Sequence, residues 1–146
     1  MQEILLLSGP NLDLLGTRSP EIYGSATLDE YVAAATGRAT RAGLGLRHVQ
    51  SNFEGDLIEA VHAALSASAA IIINAGALTH SSWALSDALA IFSGPKIEVH
   101  LSNPAAREPF RHLSTLAAVV DGSLAGLGAL GYLLAVDAAV ALLEQR

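Results

Sequence analysis

The chain is predicted to fold as an α/β protein, a three-layer sandwich around a five-stranded parallel sheet. Three observations predict it. Apolar runs of strand length alternate with segments of helical period along the whole sequence. The clearest run, Ala69 to Ile73, is apolar without alternation, as a strand covered on both faces must be. The runs end in Gly, Pro, Asn or Ser, which close strands and open loops.

Taken in order, Ile4 to Leu7 reads as the first strand, closed by Ser8-Gly9-Pro10. The connection from Gly9 to Gly24, GPNLDLLGTRSPEIYG, is far longer than the roughly 2 to 6 residues usual between strand and helix. Its Asn11, Arg18 and Tyr23 favour a functional loop. Thr27-Leu28-Asp29-Glu30 is a capping box that opens a helix running to about Gly43. Leu46 to Gln50 is a weaker strand. Ser51-Asn52-Phe53-Glu54 reads as a second capping box, and Leu57, Ile58, Val61 and Leu65 as the apolar face of the helix after it.

The Ala69–Ile73 strand ends in Asn74-Ala75-Gly76, and a helix from Ser81 or Ser82 is expected to bury Ala84, Leu85, Ala88, Leu89 and Phe92 before Gly94-Pro95 stops it. Ile97 to Leu101 is the fourth strand, and Pro104 to about Arg111 is short and helical. Ala117 to Val120 is read as the fifth strand, and Leu124 to Leu143 as a buried final helix. That last stretch is long enough to span a bilayer. Gly126, Gly128 and Gly131 in its first half, and Asp137 in its second, favour the buried helix. One domain over residues 1–146, of flavodoxin type, accounts for the pattern.

Composition narrows the partners. A net charge of -6 argues against nucleic acid, which needs a basic face. With no cysteine, disulfides and thiolate metal sites are excluded. The N-terminus lacks the basic region and cleavage site of a signal peptide, and a cytoplasmic protein with no membrane partner is expected. A hydrophobic fraction of 51% and a mean hydropathy of +0.43 suggest surface buried between subunits.

Topology places the candidate chemistry. Ligands of an open parallel sheet bind outside the carboxyl ends of its strands. Asn11, Asn74, and the group His100, Ser102 and Asn103 follow three different strands and reach one rim. Glu98 and His100 are two apart and share a strand face, where the carboxylate orients the imidazole. Arg107 and Arg111, four apart, are expected to share a helical face beside that rim. Each residue has a plainer role open to it: Tyr23 covering the sheet edge, Asn74 capping a turn, His80 satisfied by backbone, and Arg107 pairing with Glu98 or Glu108. His62 and His112 read as structural.

GPNLDLLGTRSPEIYG, QSNFEGDLIEAVH, IIINAGALTHSSWALSDA, IEVHLSN and REPFRH, in this order over nearly the whole chain, resemble type II 3-dehydroquinate dehydratase. The resemblance implies dehydration of 3-dehydroquinate to 3-dehydroshikimate in the shikimate pathway, without metal or organic cofactor. It implies Tyr23 as the base, Arg18 as its helper in the loop, His100 as the acid, and Asn11 as holder of the water at the enolate oxygen. Asn74 and the backbone of Leu101 and Ser102 match the carboxylate pocket. His80 and Arg111 match groups on the substrate hydroxyls, and Asp87 a residue closing a neighbouring subunit's site. Glu98 and Arg107 stand behind these.

The resemblance further implies self-association as a dodecamer built from trimers. Pro104-Ala105, Leu113-Ser114-Thr115, Phe53 and Trp83 depart from the family's usual residues.

Chemistry agrees with these roles. An unperturbed tyrosine, with a pKa of about 10, needs a nearby cation to act as a base near neutrality, and a histidine suits protonation of a leaving hydroxyl. A Schiff-base route needs a lysine, and Lys96, the only one, precedes the fourth strand at the wrong end of the sheet. The five histidines lack zinc-hydrolase spacing. Two other readings remain open: a non-catalytic module binding a small ligand or flavin, and a paralogue serving quinate breakdown.

Overall fold

The computed structural model describes residues 1–17 and 19–146. Five strands, β1 Glu3–Ser8, β2 Gly45–Gln50, β3 Ala70–Asn74, β4 Lys96–His100 and β5 Gly122–Ala125, form one parallel sheet in the order β2-β1-β3-β4-β5. The chain runs outward from β1 in both directions, so β1 and β3 flank the point where the strand order reverses. Ser8 and Asn74 are register partners at their carboxyl ends. Such a switch point is where open α/β sheets leave a crevice.

Between β1 and β2 lie α1, Pro20–Tyr23, and α2, Leu28–Arg41; then follow α3, Glu54–Ala67, α4, Trp83–Ile91, and α5, Ala129–Glu144. Strand alternation sorts β1 into two cores. Ile4 and Leu6 pack with α2 and α5, alongside Ile72, Val99, Tyr31 and Tyr132. Leu5 and Leu7 pack with α3 and α4, alongside Ile71, Ile73, Leu57 and Leu89. At about 1.5–3 kcal/mol for each large apolar side chain taken out of water, these two layers dominate the stability of the fold. Arg38 and Asp137 join α2 to α5 through two bonds of 2.8 Å.

The first capping box forms in part: Thr27 ends its helix by accepting from the Glu30 amide at 3.3 Å. The second does not. Helix α3 begins at Glu54 with Phe53 as its cap and no side-chain cap bond. Ser51 instead accepts from the Phe53 amide at 3.0 Å and donates to Asp56 at 2.6 Å, a local turn that competes with capping. The faces of α3 and α4 also differ from expectation. Leu65 is 48% exposed, its place inside taken by Ala60 and Ala64, and Ala84 is exposed where Ser86 is buried.

The fifth strand lies at Gly122–Ala125, not Ala117–Val120, which forms a turn with Val119 and Val120 packed under the sheet. Consequently the final helix starts at Ala129, after Gly126 and Gly128 turn the chain at positive φ. No helix among the described residues is long and apolar enough to cross a membrane. Helix α4 turns Trp83, Asp87 and Ile91 outward on one face, with Trp83 and Ile91 each 62% exposed.

Candidate active site

A pocket opens at the carboxyl ends of β3 and β4 and gathers Tyr23, Asn74, His80, His100, Leu101, Ser102, Arg107 and Arg111. Leu12, Gly76, Ala77 and Pro104 complete its wall, none of them anticipated as site residues. Glu98 stands directly behind His100. Asn11 and Asp87 are not among the lining residues: Asn11 sits beside Leu12 in a left-handed conformation, φ 68, its amide held by Asn52 at 2.9 Å, and Asp87 is on the outward face of α4. Arg18 lies outside the described residues.

His100 is fixed by β4. Its Nε2 donates to Glu98 Oε2 at 2.5 Å, as two residues on one strand face allow. Glu98 is only 2% exposed, so its charge needs further donors. Ser114 supplies one, its hydroxyl lying 2.9 and 3.0 Å from the two carboxylate oxygens. The Leu116 amide in turn donates to Ser114 at 3.1 Å. An imidazole tied at Nε2 to a fixed carboxylate has its orientation set and leaves Nδ1 for chemistry.

Tyr23 ends the four-residue helix α1 in the long connection. Arg107 meets it from across the pocket: Nη1 donates to Tyr23 Oη at 2.9 Å and to Ser102 Oγ at 3.2 Å, with the guanidinium 5.3 Å from the tyrosine ring centre. Of the two plainer partners open to Arg107, Glu98 or Glu108, it meets Glu108, at 3.9 Å. Arg107 and Arg111 do not share one helical face. They belong to a segment split into two short turns, Pro104–Ala106 and Pro109–His112, because Pro109 follows Glu108 and disfavours continuation. Both still reach the pocket. Arg111 donates to Glu108 at 2.9 Å, a bond that holds the Glu108 carboxyl below its ordinary pKa.

His80 Nδ1 lies 2.7 Å from the Leu113 carbonyl, which can only accept, so that nitrogen carries the proton and Nε2 of the neutral ring is an acceptor. Phe110 packs edge-on against it. Asn74 accepts from the Gly76 amide at 3.2 Å through Oδ1, the turn-capping role, and donates through Nδ2 to Tyr132 Oη at 3.0 Å. Tyr132, fully buried on α5, was not legible as a site residue. Burial and its neighbours leave its pKa pushed up to about 12, so it stays a neutral phenol. At the opposite end of the sheet Lys96 bonds the Phe92 carbonyl, and burial lowers its pKa. Among the described residues no group of three or more His, Asp or Glu side chains is arranged to hold a metal ion.

Fold and pocket together define an α/β protein with a polar pocket, lined by Tyr23, His80, His100, Arg107 and Arg111, at the carboxyl rim of a parallel sheet. The family model described as "Dehydroquinase class II" matches residues 2–140. A 3-dehydroquinate dehydratase of Ruegeria pomeroyi is 51% identical over 97% of this chain and 95% of its own. One from Aeromonas hydrophila is 56% identical over 94% and 92%. The crystal structure of a type II dehydroquinase from Propionibacterium acnes superposes with a TM-score of 0.92 at 40% identity, covering 97% of each chain. The chain belongs to the class II dehydroquinase family.

Proposed function

We propose that this protein is a hydro-lyase that eliminates water from 3-dehydroquinate, through an enolate, to give 3-dehydroshikimate in the shikimate pathway. The observation that carries the reading is the convergence of two proton-transfer groups on one pocket, each with its own partner: Tyr23 on Arg107, and His100 on Glu98. Family membership supplies the substrate.

In this mechanism Tyr23, as its anion beside the Arg107 guanidinium, takes the proton next to the ketone. The C–H electron pair becomes a C=C bond as the carbonyl π pair moves onto the ketone oxygen, and a water held by Asn11 steadies the resulting enolate. The enolate then collapses, the C–O bond to the departing hydroxyl breaks, and His100 protonates that oxygen as it leaves as water. Tyr23 ends with one proton more and His100 with one fewer, and exchange with solvent restores both. Arg18 assists Tyr23. Asn74, with the Leu101 and Ser102 backbone, binds the substrate carboxylate, while His80 Nε2 and Arg111 hold its hydroxyls. Neither a metal nor an organic cofactor is needed.

Asp87 reaches the site of a neighbouring copy in a dodecamer built as a tetramer of trimers. The outward apolar residues Trp83 and Ile91 beside it support such an interface, and light scattering on the purified protein tests it. The chain acts as one domain in the cytoplasm, which a single cooperative unfolding transition and cell fractionation check.

The test of the activity is the ultraviolet absorbance of protein mixed with 3-dehydroquinate, with and without borohydride pretreatment. A growing conjugated-enone absorbance that borohydride does not suppress supports the enolate route. Absence of any change from folded, assembled protein overturns it, and suppression by borohydride points to an imine instead.

A further inference from the structure

Helix α1 is a single turn, Pro20–Tyr23, and a turn that short leaves its last carbonyls without partners inside it. The Gly24 amide takes the Pro20 carbonyl at 2.8 Å. The Tyr23 carbonyl is met from the next helix: the hydroxyl of Tyr31, in the first turn of α2, donates to it at 3.3 Å. Gly24 stands between the two helices at φ 82 and ψ -178, a conformation that glycine alone takes without strain.

Tyr31 is itself fixed. Only 5% exposed, it belongs to the core beneath α2 and α5, and its ring stacks on Tyr132 with centres 5.5 Å apart and planes 27° from parallel. Tyr132 in turn is tied through its hydroxyl to Asn74. Burial raises the Tyr31 pKa, and the Glu30 carboxylate acts in the same sense, so the phenol keeps the proton it donates. A buried phenol needs an acceptor, and the Tyr23 carbonyl serves.

Tyr23 is thereby held at both ends. Arg107 takes its hydroxyl at 2.9 Å from across the pocket, whereas Tyr31 takes its main chain from a helix anchored in the core. A tie at the tip sets the distance from phenol to guanidinium. A tie at the root sets the pivot from which the side chain reaches.

We propose that Tyr31 is a positioning residue for the base: its hydroxyl fixes the root of Tyr23, so that the phenolic oxygen meets Arg107 and the pocket together. The inference deepens the functional reading and rests on Tyr23 being the group that takes the proton.

Tyr31→Phe keeps the ring, its volume and the stack on Tyr132, and deletes only the bond to Tyr23. In the enone assay kcat is expected to fall by about three- to tenfold, the worth of one net hydrogen bond. KM should change by less than about twofold, because Asn74, His80 and Arg111, which hold the substrate, are untouched. In a Tyr23→Phe background the same substitution should change kcat by less than about twofold, since it acts through the Tyr23 hydroxyl. Amide exchange reads the tie directly: the Gly24 amide should exchange at least about threefold faster in Tyr31→Phe, with the Ser68 amide at the end of α3 as an unchanged reference. Native kcat in the folded variant, an equal loss in the Tyr23→Phe background, or an unchanged Gly24 rate each overturns the proposal. A native protein that leaves 3-dehydroquinate unchanged sinks the dehydratase reading instead. Exchange then decides whether Tyr31 sets the place of Tyr23, selective acceleration at Gly24 upholding it and none ending it.

Discussion

Tyr23 and His100 face one pocket from two different kinds of structure. His100 ends a strand paired with β5 and is locked by Glu98, which Ser114 locks in turn. Tyr23 ends a single helical turn inside a long connection, and its hydroxyl meets Arg107 from another segment of the chain. In the proposed mechanism the acid is thus held by the sheet itself, whereas the base meets its partner across the pocket, from the Pro104–His112 segment. Rigid placement suits the group that must meet a leaving oxygen, and a separable arm suits a site that substrate must enter.

The largest test of this contrast is to remove each group. His100→Ala and Tyr23→Phe should each lower kcat by about 10²- to 10⁴-fold in the enone assay, the usual worth of a positioned acid or base. Near-native turnover in either would remove that residue from the mechanism. Next in size is Arg107→Ala, expected to lower kcat by about 10- to 100-fold by withdrawing a charge-assisted bond from Tyr23. Its effect should nearly vanish in a Tyr23→Phe background, and full additivity there would show that Arg107 acts on something else. Ser114→Ala should cost about tenfold in kcat with little change in KM, because Glu98 loses its second donor while substrate contacts remain. Ser114→Thr, which keeps the hydroxyl, should recover most of it.

The smallest effect concerns stability alone. Tyr132 has its pKa raised from 10.0 to about 12, so between those values the unfolded chain loses a proton that the folded chain keeps. Stability should therefore be intact below pH 10 and fall as pH rises through that window. Urea midpoints should show a shallower alkaline decline in Tyr132→Phe; identical slopes would mean that Tyr132 is not the group responsible.

Much of the fold was legible because buried parallel strands have so little compositional freedom. Ala70 to Ile73 can be read only one way when both faces are covered. The edge was not legible. Strand β5, Gly-Ser-Leu-Ala, alternates between half-buried and exposed and is held by backbone pairing to β4, whereas Val119 and Val120 look like a strand but fill space in a turn. The rim residues were readable from strand ends and spacing, His100 and Glu98 above all. Tyr132, Ser8 and Ser114 were not, since a tyrosine in an apolar helix or a serine closing an apolar strand reads as packing. The only sequence signal for Tyr132 is that a buried phenol must find a partner for its hydroxyl.

Trp83 gives the outward face of α4 an optical signature. It is the only tryptophan in the chain and is 62% exposed in a single copy. An indole in water emits at longer wavelength than one in an apolar contact, so the intrinsic fluorescence of this protein reports on that one face alone. A blue-shifted emission that moves red on dilution would record copies parting there, without a label. An emission already red at every concentration would mean that the face stays wet.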